Sequence, residues 1–545
     1  MIETLPRTKA SDRHPLRGAR HWSREAPAGP WDAVVVGSGI GGLTAAALLS
    51  ELGRRVLVLE QHYVPGGFTH EFHRQGYNWD VGVHAIGEVT RHTTSGRLLE
   101  RLTDGGLHWS SLGPVYEEFH FPDGMRVDFP DDPQRFRANL VDAFPDEASV
   151  IDAYLALVRR AARAMRGHFL TKILPARGAW WQERLLARSA RPWLARTVNE
   201  VLDELGASPR LRAVLTAQWG YYGTPPEEAA FAIQALVTKH FLHGAYYPVG
   251  GSQEIARCLT RKIARAGGWT RIRAEVAEIV VEGGRARGAR LADGEVVRAD
   301  DVIVASGMGT AVRRLLPEPL RESPWGRDLS TIGPGPAHVC LYLGFRGDPR
   351  AAGASGANKW FYSTWDPAES IWDVSPDRPV GPAPVLYTSF PSLKDPTYDP
   401  GPEARHTAEV VTFVPWRAFE SWRTTGWHRR GSGYEAFKSA LEAQLREQIL
   451  EHLPKLEPIL DHSELSTPLS TDHFCRPLAG SIYGLEATPA RFLSRSLRAR
   501  SPVRGLFFAG GDVTSGGVMG AFGGGVLGAA AVAPWGVSRL MRRLR

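Results

Sequence analysis

Residues 31–42 read WDAVVVGSGIGG, and their interpretation decides the fold. Trp31 to Val36 is a short apolar run, after which Gly37, Gly39 and Gly42 fall at the spacing G-x-G-x-x-G. Leu43 to Leu52 has helix-forming composition, with no glycine or proline until Gly53. The order is strand, tight turn, helix. In a chain of 58 glycines this spacing alone means little, but its context is that of a diphosphate site. The first glycine turns the chain, the second lets backbone approach the phosphates, and the third packs helix on strand. Amides and dipole at the helix start then attract the anion. A second apolar strand, RVLVLE (55–60), ends in Glu60, eighteen residues past Gly42, where a ribose hydroxyl needs an acceptor. A dinucleotide-binding βαβ unit is therefore predicted.

The remaining chain must enclose this unit. With 545 residues and 43% apolar content it exceeds a single core, so two interlocked domains are expected. From Leu107 to Phe129, aromatic and β-branched residues around turns such as Pro122-Asp123-Gly124 predict strands. From Asp146 to Leu242 the pattern is helical: Ile151, Tyr154, Leu155, Val158, Ala162 and Met165 recur at steps of three and four, opposite Asp152, Arg159, Arg160, Arg163 and Arg166. Turns at Gly283-Gly284 and Asp293-Gly294 predict a β-meander over 271–305. VCLYLGF, VLYTSF and VVTFVP predict a second sheet between Ala337 and Pro415, and a helix is expected over 433–453. A last strand over 505–511 leads through glycines 516–528 into an Ala-rich helix. The expected class is α/β. A Rossmann-like nucleotide-binding domain (31–105, 245–310, 496–545) interlocks with a substrate domain of mixed β-sheet plus helical insertion (106–244, 311–495), behind a disordered tail (1–30).

Several function classes find no support. Cys258, Cys340 and Cys475 are scattered and odd in number, which suggests neither a disulfide framework nor a metal site and fits a reducing, cytoplasmic setting. The N-terminal histidines, His70 and His73 among them, lack an acidic partner at ligand spacing, so no metal is expected. There is no G-x-S-x-G elbow between strand and helix. No run of eighteen apolar residues predicts a membrane span. Net charge is +7, with ten Arg and Lys residues facing only Glu183 between Arg159 and Arg196. Such a segment favours an anionic surface, but no nucleic-acid-binding module accompanies it.

Further motifs carry a resemblance. Pro65-Gly66-Gly67, Asp80-Val81-Gly82-Val83-His84 and the closing Gly510-Gly511-Asp512 resemble flavoproteins of the glutathione reductase type, in the amine oxidase and phytoene desaturase group. Tyr247-Pro248-Val249-Gly250-Gly251, Pro468-Leu469-Ser470-Thr471, Gly480-Ser481-Ile482-Tyr483-Gly484 and GLFFAGGDVTSGGVMGAFGGG are most similar to the retinol saturase and carotenoid isomerase branch. The resemblance implies FAD, held by Gly37, Ser38, Gly39, Gly41, Gly42, Glu60, Gln61, Gly66, Gly67, Phe68 and Val276 from one side. It implies Gly511, Asp512, Gly517, Val518 and Met519 from the other, with Asp512 on the ribityl chain. Phe68 departs from the pattern, since many members carry a basic residue there, which leaves a phosphate or flavin contact from that position unassigned. Gly333-Pro334-Gly335-Pro336 cannot open a second nucleotide helix, so no separate NAD(P)H domain is expected and the electron donor or acceptor stays open.

The resemblance also implies chemistry at C=C bonds of a hydrophobic polyene: saturation, desaturation or cis-trans isomerisation, with a fatty-acyl substrate as an alternative. His84 is the candidate polar catalytic group, and Tyr247 and Tyr483 are candidate pocket residues. An amine oxidase-like reaction and a non-catalytic flavin-binding role remain alternatives. Trp180, Trp181 and Trp193 among the arginines, with the tail WGVSRLMRRLR (535–545), suggest peripheral membrane contact.

Overall fold

A computed structural model describes residues 20–175 and 179–544. Residues 1–19, Arg177, Arg545 and the side chains of Trp180 and Glu183 lie outside the described residues. The βαβ reading is realised at the centre of a six-stranded parallel sheet, in the order Trp22–Ser23, Trp269–Arg271, Val56–Leu59, Ala33–Val36, Asp301–Val304, Leu506–Phe508. Ala33–Val36 and Val56–Leu59 are apolar throughout because parallel strands covered on both faces have no solvent side. The same logic governs the helix Ile40–Glu51, which lacks an amphipathic stripe and is buried on nearly every side. It packs on the helix Val518–Val532, where a Cβ on Gly525 would strike the Gly41 carbonyl and one on Gly41 would lie 2.5 Å from the Gly510 Cα. Close approach of these two helices brings the two ends of the chain together.

The expected disordered tail lies outside the described residues up to position 19, and beyond it Trp22–Ser23 forms a strand, pairing with Trp269–Arg271 as the edge strand of the sheet. A two-residue pairing carries too little pattern to be read from sequence. The meander forms as Val276–Glu282, Arg285–Leu291 and Val296–Arg298, all antiparallel.

The second sheet has seven strands, in the order Leu460–Ser466, Ala337–Arg346, Arg405–Val414, Val385–Ser389, Asn358–Tyr362, Val115–His120, Arg126–Pro130. It is antiparallel except between Asn358–Tyr362 and Val115–His120. One face is covered by Ser432–His452, whose Tyr434, Phe437, Leu441, Leu445 and Ile449 form one apolar stripe. The other face is covered by the helical insertion, through Ala148–Thr171 and Phe231–Phe241 among others. On Ala148–Thr171 the six apolar positions quoted above are buried, while Arg159, Arg160, Arg163 and Arg166 are exposed.

Between the two sheets lies the hairpin Glu71–Arg74/Tyr77–Asp80. Trp79 anchors it: the indole is fully buried, its Nε1 donates to the Leu343 carbonyl at 3.0 Å, and its ring packs on Phe72 and Tyr342. This fixes where Asp80 and His84 stand. Trp79→Ala is expected to cost about 3–5 kcal/mol, the usual range for removing a buried aromatic, read as a lowered midpoint in chemical denaturation.

A candidate cofactor cleft opening onto an apolar cavity

At the carboxyl ends of the parallel strands lies a cleft of about 460 Å³. Its wall includes Gly37, Ser38, Gly39, Gly41, Glu60, Gln61, Gly66, Gly67, Phe68, Val276, Gly511, Asp512, Gly517 and Val518. Gly42 stands behind the wall, where a Cβ would collide with the Gly37 carbonyl, the helix-to-strand packing expected of the third glycine. Met519 is a correction: one residue into the last helix, the rotation per residue turns it from the cleft into the neighbouring cavity.

Glu60 is locked by its surroundings. Ser38 donates to Oε2 through N–H at 3.0 Å and through its hydroxyl at 2.5 Å, and His62 N–H donates to Oε1 at 2.7 Å. Lone pairs remain on Oε1 for a sugar hydroxyl. Gln61 donates from Nε2 to the Phe474 carbonyl at 2.8 Å, closing that end of the cleft. Asp512 Oδ2 accepts from the N–H groups of Met308 at 2.7 Å and Gly309 at 3.4 Å, and Oδ1 accepts from Leu485 N–H at 3.0 Å. The carboxylate thus staples three chain segments, a role the resemblance did not imply, with acceptor capacity left on Oδ1.

Sequence reasoning missed Ser306, Gly307, Arg314, Cys475 and Arg476, which also line the cleft. The turn after Asp301–Val304 repeats the strand-end logic of Gly37 and was legible as such. Arg314 and Arg476 had no local signal. Each is in an ion pair, Arg314 with Asp472 at 3.5 Å and Arg476 with Glu275, which also lines the cleft.

A second cavity, about 450 Å³, adjoins the first, and Gly82, Ile482, Tyr483, Gly516, Gly517 and Val518 line both. Its floor is the second sheet, through Trp360, Tyr387, Val411 and Phe413, and its roof is the insertion, through Phe169, Ile233, Leu236, Val237 and Phe241. His84 and Tyr483 stand on its wall. Tyr247 does not: it is buried, and its hydroxyl donates to Asp80 Oδ2 at 2.6 Å. Successive residues of a strand point to opposite faces, so Tyr247 turns away from the cavity, next to a separate polar one. His84 Nδ1 lies 2.8 Å from Glu409 Oε2, and burial, then the Lys394 ammonium, lowers the imidazole to about 3. The ring is neutral at ordinary pH.

The cleft fits a flavin dinucleotide. A Cβ on Gly39 or Gly517 would meet nothing within 4 Å, so each glycine faces open cleft, and each directly precedes a helix start whose amides suit a phosphate or a polar ring edge. Glu60 offers acceptors at one end, and the shared wall supplies an apolar rim at the other. Among the described residues no group of histidines, cysteines and carboxylates could hold a metal.

Comparison with known proteins agrees with this geometry. Residues 40–533 match the family described as flavin containing amine oxidoreductase. An all-trans-retinol 13,14-reductase from Rattus norvegicus is 33% identical over 520 residues, covering 92% of this chain and 85% of that protein. A chloroplastic prolycopene isomerase from Arabidopsis thaliana is 24% identical over 452 residues, covering 82% of this chain and 72% of that protein. A putrescine oxidase variant with redesigned cofactor binding has a similar fold, with a TM-score of 0.61 at 16% identity over 96% of this chain and 99% of that one.

Asp512→Ala leaves the amides of Met308 and Leu485 without their acceptor, at about 1–3 kcal/mol for each buried donor. It is expected to lower both the flavin-to-protein absorbance ratio and the melting temperature of the flavin-free protein. Since the family match runs through both halves of a cleft shaped for a flavin dinucleotide, the chain belongs to the flavin containing amine oxidoreductase family and is an FAD-dependent oxidoreductase.

Proposed function

We propose that this protein acts on a C=C bond of a retinoid-like polyene, and that saturation is its reaction. The observation that carries the reading is the shared wall: the apolar cavity meets the cofactor cleft at Tyr483 and Gly517, so a long apolar chain lying in it reaches the end of the cleft. Support also comes from the similarity to the retinol 13,14-reductases. In this reading Gly37, Ser38, Gly39 and Gly41 hold the diphosphate and Glu60 the adenosine ribose. Gly511, Asp512, Gly517 and Val518 hold the ribityl and ring end. FAD supplies hydride exchange when bound, and the chain orients the polyene and excludes water from it. The cavity lies in the size range of small-molecule sites, with few polar groups among aliphatic and aromatic walls.

An amine substrate fits less well. The cavity's lining carboxylate, Glu88, is already paired with Lys239 and His240 and does not stand free to receive an ammonium. Isomerisation without net redox change is the nearest second reading, favoured by the similarity to prolycopene isomerase.

We further propose that the polyene is taken from an anionic membrane surface. No described helix is long and apolar enough to cross a membrane. Phe169 and Met541 line the cavity; the helices that carry them, with Ala179–Leu186, expose Leu170, Trp181, Leu185, Leu186 and Trp535, and Ala148–Thr171 also exposes Arg159, Arg160, Arg163 and Arg166. Exposed apolar side chains together with exposed arginines suit a bilayer interface.

Two measurements test these readings. Protein reduced anaerobically with dithionite is expected to regain its oxidised flavin spectrum on addition of all-trans-retinol, and not of putrescine; the reverse pattern would sink the polyene reading. In flotation with phosphatidylserine vesicles, the double variant Leu185→Asp/Trp535→Asp is expected to lose most of the binding that the wild type shows. Equal flotation of both would remove this surface from consideration.

A further inference from the structure

The wall between the apolar cavity and solvent contains ionisable groups that cofactor binding does not use. Strand pairing sets Asn358 opposite Glu117 and Glu409 opposite Ser389, and paired residues of neighbouring strands share a face. A polar row thus lies beside the Trp360 and Tyr387 positions of the cavity floor. Lys394 ties the row together. Its Nζ donates to Asn358 Oδ1 at 2.5 Å, to Ser389 Oγ at 2.7 Å and to the main-chain oxygen of His84 at 2.7 Å. This last bond holds His84 over Glu409, with Nδ1 2.8 Å from Oε2. Neither atom has another hydrogen-bond partner among the described residues.

Glu409 also reaches the far side of the wall. Its Oε1 accepts the Asp80 N–H at 2.8 Å, and the Asp80 carboxyl, with Tyr247 and Glu71, lines a polar cavity of about 450 Å³. The exposed residues Thr397 and Asp399 belong to the same cavity, so it communicates with solvent. The Asp80 carboxyl on the polar cavity and the Glu409 carboxyl that its main-chain amide contacts therefore lie between water and the imidazole.

Charge balance decides which of these groups carry protons. Three buried carboxyl groups, Asp80, Glu117 and Glu409, face one ammonium, Lys394. Several like charges cannot all ionise out of water, where each costs several kcal/mol. Burial, then repulsion from Glu409 and Glu71, raises Asp80 well above the carboxylate range; burial does the same to Glu409 and pushes Glu117 up to about 7. A neutral acid thus stands against a neutral imidazole on the wall of a largely apolar cavity.

We propose, resting on the saturation reading above, that His84 is the proton donor to the polyene and that Glu409 and Asp80 reload it from the polar cavity. In the balanced step the π bond is lost and two C–H bonds form. The hydride, with both electrons, comes from FAD reduced beforehand by an external two-electron donor, and the proton passes from His84 Nε2 to the adjacent carbon. As it leaves, Nδ1 takes a proton from Glu409, and Asp80, whose amide holds Glu409, resupplies that carboxylate. His84 is the catalytic residue of the relay, while Glu409 and Asp80 act through it.

The test uses holoprotein reduced with dithionite and mixed with all-trans-retinol in H₂O and D₂O. It follows flavin reoxidation, deuterium in the product, retinol affinity by fluorescence quenching, and the carboxyl infrared spectrum of the unreacted protein. His84→Gln and Glu409→Gln are each expected to slow reoxidation about 100-fold or more, the lower end of general-acid contributions, with flavin content and retinol affinity held within a few fold. Glu409→Gln is also expected to remove a protonated-carboxyl band that shifts in D₂O. Wild-type rate and an unchanged infrared spectrum in Glu409→Gln would overturn the relay. So would a loss confined to Tyr221→Phe, which would make the pair formed by Glu117 and Tyr221 the donor. Should Glu409→Gln fail to fold, Asp80→Asn keeps the amide that holds Glu409 and is expected to slow repeated turnover more than the first; equal rates in both phases count against the relay. A wild type that no polyene reoxidises overturns the functional reading instead, a result distinct from one in which the wild type reacts and the variants keep pace.

Discussion

The carboxylate of Asp512 holds the architecture shut. Its two oxygens gather amides from the turn after Asp301–Val304 and from the segment at Leu485, two stretches far apart in the chain. Arg491, itself buried, reinforces the junction by donating to the Leu485 carbonyl at 2.5 Å and the Gly511 carbonyl at 2.6 Å. Each of these groups would be costly to bury alone, and together they satisfy one another. The closing glycine segment is thereby held where it completes the cleft begun at Gly37.

With the junction closed, the molecule separates two solvents. The cleft is built from backbone amides and a few fixed carboxylates, as a charged dinucleotide requires. The adjoining cavity is walled by aromatic and aliphatic side chains that the second sheet and the helical insertion bring face to face. Their contact is confined to a few residues around Tyr483 and Gly517, which restricts where an apolar substrate and the cofactor can meet. The buried polar row behind the floor then supplies what an apolar cavity lacks, a source of protons reached without admitting water.

How much of this was readable beforehand depended on range. The diphosphate turn and Glu60 could be proposed from local spacing, because a strand, a turn and a helix in succession determine their own geometry, whereas the closing Gly510-Gly511-Asp512 was implied by the motif resemblance. Apolar periodicity likewise exposed the buried face of Ala148–Thr171. Tyr247 and Met519 each face a different cavity from the one expected, Tyr247 the polar cavity beside Asp80 and Met519 the apolar one, because the face a single side chain takes is set by register and helix rotation. His84 was picked from its motif, but its partners Glu409 and Lys394 lie more than three hundred residues further on.

From the order of residues alone followed the nucleotide-binding unit and the α/β class, while FAD was what the motif resemblance implied. The unit and its elements rest on interactions within a short stretch of chain, where periodicity and turn chemistry suffice. Tertiary structure alone decided that Asp512 binds backbone from two other segments, that Arg314 and Arg476 reach the cleft, and that Asp80, Glu409 and His84 line up through one wall. Those arrangements come from strand pairing and packing between distant segments, and the free energy of burying a polar group depends on which partner the fold delivers to it.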